Sequence, residues 1–378
     1  MKKLNIFGPV NSLGYGVVTK NLVLNLFKKG VHITLNPVYG SVEISSKEEQ
    51  FVFQACYDNV NKFDIRDPSL MIWHAHEMNI FTGTPRIGMP IFEITEFNDR
   101  EKNQLGTLDH IAVMSNWAKD IVERQEFSRD KKIFVIPGGV NFSIFNPSVQ
   151  PHQAFFASSG MFTFISSGKY ERIRKGHSLV LRAFTKAFSD SPKTVRLMCH
   201  WANPFMAEID QLFANTMNKL EFVKAADSRP IFTKGNMIIE YVPRFNLQEE
   251  MSQVYACADA GVFPFAAEGW NLPLIELMAM GKPCIATNYS GPTEYLTDDN
   301  ALLLKNFDME VPFDERWFPY KIGLWAKPSE EELIDKMVYV VDNYEEAKKK
   351  GDKATRDILT NFTWEKSALK VIDMLNDI

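Results

Sequence analysis

Short apolar runs recur along the chain, each bounded by glycine, proline or small polar residues and separated by stretches with helical periodicity. In the first half they fall at Lys3–Gly8, Val31–Val38, Leu70–His76, Pro90–Glu96, Ile111–Ser115 and Lys132–Pro137. In the second half they fall at Phe162–Gly168, Val195–Trp201, Met237–Val242, Ala260–Phe265 and Pro283–Asn288, the readable part of a second six-strand pattern. Strands alternating with helices predict βαβ units and parallel sheets. The first helix is expected over Val17–Lys29, with Val18, Leu22 and Leu26 on one stripe, Val23 and Phe27 beside it, and Gly30 as its stop. An amphipathic helix is expected over Phe362–Ile378, aligning Trp364, Ala368, Ile372 and Leu375. Between the halves, Pro137–Ser159 carries Pro137, Gly138, Gly139, Pro147 and Pro151 and no regular period, which makes it the expected domain boundary.

The length agrees with that division, because 378 residues at ~150 residues per domain amount to about 2.5 domains. The expectation is α/β architecture with a Rossmann-like domain over 1–150, a second over 151–355, and a terminal helix over 356–378. Two such domains facing a central cleft bring a ligand to the carboxyl ends of both sheets. With 45% hydrophobic and 24% charged residues the chain is globular rather than disordered. Its 42 basic and 47 acidic side chains, a net charge of -5, give no overall positive field to capture a polyanion or an anionic membrane. Cys56, Cys199, Cys257 and Cys284 lie far apart, form no CxxC pair and read as reduced thiols. The apolar stretch before Gly8 and Pro9 is too short for a signal peptide, and no run approaches a membrane span. A soluble, cytoplasmic protein is therefore expected.

Three segments carry candidate chemistry. The glycine-rich turn SLGYGVVTKN follows the first strand and opens the first helix, where Gly14 and Gly16 allow close backbone approach and helix amides favour a phosphate. A dinucleotide site would also place a carboxylate after the second strand, yet Leu35–Val38 is followed by none before Glu43. The loop SGKYERIRKGH gathers Lys169, Arg172, Arg174 and Lys175 at the end of a strand, where cations could neutralise a leaving diphosphate. The segment PFAAEGWNLPLIELMAMGKP sets Glu268 and Glu276 in an E-x7-E spacing, with Gly269 and Asn271 in a loop and Pro273 opening the helix Leu272–Met280. A glycosidase pair would sit about 5–10 Å apart across one sugar. Eight residues along a helix span about 12 Å, so these carboxylates suit different parts of one extended ligand, with the amides of Gly269–Leu272 between them.

Together these residues resemble the GT-B-fold, retaining glycosyltransferases of the large group 1 family (glycosyltransferase family 4). The likeness runs through SLGYG, HAHEMN, IPGGVNFSIFNP, GKYERIRKG, EGWNLPLIE, ATNYSGPTEYL and the terminal FTWEKSAL, nearly the whole chain. The resemblance implies that Glu268 contacts the transferred sugar and Glu276 the ribose. Lys169, often Arg in relatives, and Lys175 would hold the diphosphate with the amides of Gly269, Trp270, Asn271 and Leu272, while Gly14 and Gly16 close from the first domain. The resemblance also implies that the acceptor sits mainly on the first domain and that the terminal helix, 356–378, crosses back to it. Many relatives have Gly at the position of Asn271. Many also carry a sugar-contacting His where this chain has Glu93, Thr95 and Glu96; His76 and Glu96 are the candidates for that contact.

The activity so implied is transfer of a hexose-type sugar, with retention, from a nucleotide diphosphate sugar to a hydroxyl. The nucleotide sugar is a co-substrate and no cofactor is expected. No DxD triplet occurs, so no metal site is expected and the lysines supply that charge. Lipid-linked acceptors occur in the family, but no strongly basic amphipathic helix points to a membrane. Three other readings stay open from the residues alone: a non-catalytic sugar-nucleotide-binding scaffold, an NAD-linked oxidoreductase or epimerase, and a transferase acting on a hydroxylated nucleic-acid base. Donor base, sugar and acceptor are not legible.

Overall fold

The computed structural model describes residues 2–40, 42–155, 160–227, 229–314, 318–319 and 321–378. The first sheet comprises β1 (Lys3–Gly8), β2 (His32–Pro37), β3 (Ser69–Trp73), β4 (Arg86–Pro90), β5 (His110–Val113) and β6 (Ile133–Val135). All pairings are parallel, in the order β2-β1-β3-β4-β5-β6. Helix Gly14–Lys28 buries Val18, Leu22, Val23 and Leu26 in the core that also holds Leu4 and Ile6 of β1. The expected strand over Pro90–Glu96 is corrected: the strand is Arg86–Pro90, and the chain beyond it is a loop. A proline supplies no amide to continue a ladder, so the segment after Pro90 is released to line the cleft.

The second sheet comprises β7 (Phe162–Ser167), β8 (Val195–His200), β9 (Val223–Lys224), β10 (Ile231–Lys234), β11 (Met237–Tyr241), β12 (Ala260–Phe263), β13 (Cys284–Thr287) and β14 (Leu302–Leu304). Its order is β14-β13-β12-β7-β8-β11-β10-β9, with only β9 and β10 antiparallel. The six parallel strands, renumbered from β7, follow the Rossmann order 3-2-1-4-5-6, whose switch point lies between the first and fourth. Here those are β7 and β12. The five apolar runs expected in this half are thus joined by the β9–β10 hairpin and the three-residue β14. A ribbon of β15 (Phe307–Glu310) and β16 (Trp325–Pro328), absent from the sequence reading, lies beside them.

Within the expected boundary 137–159, the described part forms no α-helix, only a 3-10 turn at Gln153–Phe155; residues 156–159 lie outside the described residues. Helix Tyr344–Asn361 leads into helix Trp364–Asp377, whose amide of Lys366 donates to the Thr363 hydroxyl. This last helix packs on helix Gly14–Lys28. Ser367 Oγ donates to the Pro137 carbonyl at 2.6 Å, and Lys132 pairs with Asp377 at 3.2 Å. One apolar core runs from Leu4 and Ile6 through Leu274 and Leu277 to Ala368 and Val371, so the terminal helix ties both sheets together. All four cysteines are buried and free. No described helix is long and apolar enough to cross a membrane.

Candidate functional site

The loops after the strands of one sheet meet those of the other. Arg174, after β7, lies 3.4 Å from Glu93, after β4. Arg244, after β11, donates to the Ser12 hydroxyl after β1. Glu294 accepts from the Asn116 amide at 2.8 Å. The switch-point loops therefore form a cleft floor closed by the first domain.

At its centre is a buried ionic cluster. Arg174 donates through Nε to Glu171 at 2.6 Å and through Nη1 to Glu268 at 3.2 Å and the Ala267 carbonyl at 3.2 Å. Lys175 donates to the other Glu268 oxygen, and Lys169 pairs with Glu171 at 2.6 Å. Burial works against the Arg174 charge, but Glu171, Glu268 and Glu93 outweigh it and raise the guanidinium well above its ordinary range. Burial likewise opposes the Glu171 charge, yet Arg174, Lys169 and Lys175 hold that carboxyl well below its usual range. Glu93 is raised, first by burial, with Glu268 and Glu171 adding to the shift against Arg174 and Lys169.

The backbone that presents Glu268 is strained on both sides. Ser290 has φ +60°, and its hydroxyl accepts from the Glu268 amide at 2.9 Å. Asn271 has φ +68°, and its side chain accepts from the Leu274 amide at 3.3 Å, capping helix Leu272–Ala279. Asn tolerates the left-handed region better than other non-glycine residues, which accounts for an Asn at this turn. Gly291 is needed because a Cβ there would lie 2.0 Å from the Gly269 carbonyl oxygen.

Beside the cluster lies a second polar group. Glu276 is buried, has no side-chain bond or ion pair among the described residues, and is pushed by burial up to about 8. Its charge reaches the buried Tyr255. The Tyr255 hydroxyl is 2.9 Å from Ser167 Oγ, which is 2.9 Å from His200 Nδ1. His200 Nε2 has no partner, and burial followed by the Arg244 charge lowers this imidazole to about 4. Unsatisfied buried nitrogens and carboxyls are rare unless a ligand completes them.

Residues 161–312 match the family described as glycosyl transferases, group 1. The matched stretch takes in β7 to β14 and the site loops that follow β7 and β12. A probable sucrose-phosphate synthase of Thermosipho melanesiensis is 25% identical over 248 residues, 65% of this chain and 47% of the relative. A D-inositol 3-phosphate glycosyltransferase of Arthrobacter sp. is 24% identical over 237 residues, 61% of this chain and 52% of the relative. The matched regions thus span about half the length of these curated relatives. Among solved structures, the sucrose-phosphate synthase of Thermosynechococcus elongatus superposes with TM-score 0.69 at 14% identity, covering 100% of this chain and 99% of that one. HepE of Anabaena, solved with UDP and glucose, superposes with TM-score 0.65 at 10% identity over 100% of both chains. These likenesses show the GT-B fold for the whole chain.

On this GT-B scaffold the sequence candidates are distributed unevenly. Glu268, Lys169 and Lys175 come together in the ionic cluster, and Asn271 and Leu272 open the helix beside it. Glu276 lies apart from their charges. Gly269 sits against the first domain, since a Cβ there would lie 2.4 Å from Ile91 Cγ2. The Trp270 side chain is buried against Tyr295 and Phe362. Gly14 is exposed and open, whereas Gly16 is pressed against Asn11. Of the three polar residues after β4, Glu93 faces the cluster; Glu96 pairs with Lys102 at 3.0 Å, and Thr95 accepts from the Leu324 amide at 2.8 Å. His76 stacks on His74 at 5.3 Å and belongs to the first-domain face. Arg174 was read only as one of four cations in its loop and Glu93 only as one of three residues in place of the family's His, while Glu171 and the His200–Ser167–Tyr255 chain went unselected. Ser167 and His200 had one sequence signal, their position at the ends of β7 and β8, whereas Tyr255 lies within helix Gln248–Ala256 and had none.

Proposed function

We propose that the chain is a retaining glycosyltransferase that moves a hexose-type sugar from a nucleotide diphosphate sugar to an acceptor hydroxyl, without a metal ion. The observation that carries this reading is the cluster at the Rossmann switch point, in which buried Arg174 and half-buried Lys175 bond Glu268 and half-buried Lys169 bonds Glu171. Glu268 is the sugar-hydroxyl acceptor and Glu276 the ribose acceptor, with the base held near His200 and Arg244. The solved HepE complexes with UDP-glucose and with UDP favour this class of donor.

In the reaction the bond between the sugar anomeric carbon and the phosphate oxygen breaks, and its electron pair leaves with the diphosphate. The acceptor oxygen forms the new bond on the same face. Its proton passes to the departing phosphate oxygen, so no protein nucleophile is needed. Lys169, Lys175 and Arg174 stabilise the charge that grows on the diphosphate, where burial makes such interactions strong. Closure of the Glu93 and Ser12 loops over the second domain limits hydrolysis by excluding water.

The test is a thermal-shift screen of UDP-, GDP- and ADP-sugars, followed by nuclear magnetic resonance of the product's anomeric configuration. A bound donor raises the melting temperature by mass action. A flat response to every nucleotide sugar overturns the proposal, and an inverted product overturns its stereochemistry.

A further inference from the structure

The first domain presents an aromatic face to the cleft that the donor reading does not use. Tyr39 follows β2, Trp73 ends β3, Tyr15 opens the helix after β1, and His74 and His76 follow Trp73. The Tyr39 ring stacks on Trp73 at 4.7 Å and 15° and is 44% exposed. Tyr39 also holds φ +53°, a left-handed conformation that a bulky residue rarely adopts, directly before Gly40 at φ +89°. Strain of this kind persists where the surroundings enforce it, and it clusters at ligand-binding sites.

The surroundings here are specific. Glu77 accepts from Trp73 Nε1 at 2.7 Å, and its charge acts on the Tyr39 hydroxyl, so one carboxylate borders both stacked rings. Arg100 lies 3.9 Å from Glu77 and donates to the His76 carbonyl at 3.1 Å. Trp73 contacts His74 at 4.8 Å, and His74 lies within the electrostatic reach of Lys169 in the donor cluster. His74 keeps an exposed edge, and desolvation by its packed surroundings, then the His76 and Lys169 charges, pull it down to about 4, so its ring is neutral and able to bond hydroxyls. A track therefore leads from the exposed Tyr39 ring, across Trp73 and His74, to the reacting end of the donor site.

We propose that this track is an acceptor subsite for a neutral saccharide of at least two linked sugars, whose outer ring packs on Tyr39. The inference rests on the transferase reading above. Pyranose rings offer an apolar C–H face to an aromatic ring and hydroxyls to the carboxylate and imidazoles at its edge. Two aromatic steps separate Tyr39 from His74, so the sugar on Tyr39 is not the one whose hydroxyl attacks. A nucleic-acid acceptor would stack equally well but needs phosphate-neutralising cations beside the stack. Among the described residues, the charged groups bonded to this face are Glu77 and Arg100, the latter already turned to Glu77, and Lys169 acts on His74 only at the inner end of the track.

The test uses the full chain, UDP as the donor-site probe, and methyl monosaccharides and methyl disaccharides of glucose, mannose and galactose as acceptor probes. Binding is followed by saturation-transfer nuclear magnetic resonance and titration. Disaccharides are expected to bind about tenfold tighter than monosaccharides, the scale of one aromatic stacking contact. Tyr39→Ala is expected to erase that ratio, with the UDP-induced thermal shift unchanged, and Tyr39→Phe to retain it. An unchanged ratio in Tyr39→Ala overturns the inference. So does binding of a single-stranded DNA oligomer or a lipid vesicle with no saccharide bound, while an intact UDP shift leaves the transferase reading standing. Absence of any UDP shift removes both.

Discussion

Arg174 holds Glu93 at 3.4 Å across the cleft, so a buried cation of the second domain is shared with the first domain. Three carboxylates, Glu93, Glu171 and Glu268, surround it, and removal of the guanidinium leaves all three short of positive charge. Breaking a buried ionic group by deleting one partner costs about 3–5 kcal/mol. Arg174→Ala is therefore expected to lower stability by that order in urea unfolding. A change below about 0.5 kcal/mol, the usual range of a surface substitution, would show that the cluster is solvated and loose.

The same cluster predicts opposite effects on binding and turnover. Lys169, Arg174 and Lys175 are matched by Glu93, Glu171 and Glu268, and Lys175 and Arg174 both spend bonds on Glu268. Glu268→Gln removes one negative charge from the place where a diphosphate would enter. UDP is expected to bind several-fold tighter by calorimetry, while sugar transfer falls about 100-fold, the scale of losing one positioned electrostatic group. Weaker UDP binding with transfer intact would remove Glu268 from the sugar-contacting role.

The sheets were legible because their central strands carry no charge and are rich in apolar residues: Phe162–Gly168 and Ala260–Phe265 stand out in any window. The loop Ile91–Phe97 also alternates like a strand, whereas the true strand Arg86–Pro90 contains Gly88 and ends in proline. Tertiary packing decided the matter: a Cβ on Gly88 would lie 2.4 Å from Leu108 Cδ1, so the glycine that weakens the local propensity is what the fold requires. β14 spans three residues, and β9 and β10 lie at the sheet's edge, too short for a periodic signal. At the site, the loop 169–175 and the pair Glu268 and Glu276 stood out by spacing. The burial of Arg174, the choice of Glu93 over Glu96, and the orphaned His200 Nε2 depend on partners far away in sequence. The apparent cationic focus at Lys169 and Lys175 proved to be a balanced network for the same reason.

Glu276 predicts a pH dependence. The unfolded chain titrates this carboxyl near its ordinary 4.5, and the folded chain keeps the proton up to about 8. Between those values the folded state binds the extra proton, so stability falls as pH rises through that window. The ceiling on the loss is roughly 5 kcal/mol. Glu276→Gln, neutral at every pH, is expected to flatten the decline in urea midpoints measured from pH 5 to 9. If the wild-type and variant curves run parallel, the carboxyl is solvated and its proposed place against the ribose is lost.

Gly14 and Gly16 look equivalent in the turn, but their surroundings separate them. A Cβ on Gly16 would lie 2.4 Å from the Asn11 carbonyl oxygen and 2.6 Å from its amide nitrogen, both backbone atoms that cannot step aside. Gly14 is exposed, and a Cβ there would meet nothing within 4 Å. Gly16→Ala is expected to cost about 1–3 kcal/mol through that overlap. Gly14→Ala should leave stability within about 0.5 kcal/mol. Under the proposed closure on the donor, Gly14→Ala should nevertheless weaken UDP binding at an unchanged melting temperature, because the new methyl group occupies the phosphate's approach. Unchanged UDP affinity in Gly14→Ala would assign the turn a purely architectural role, with Gly16 as its essential residue.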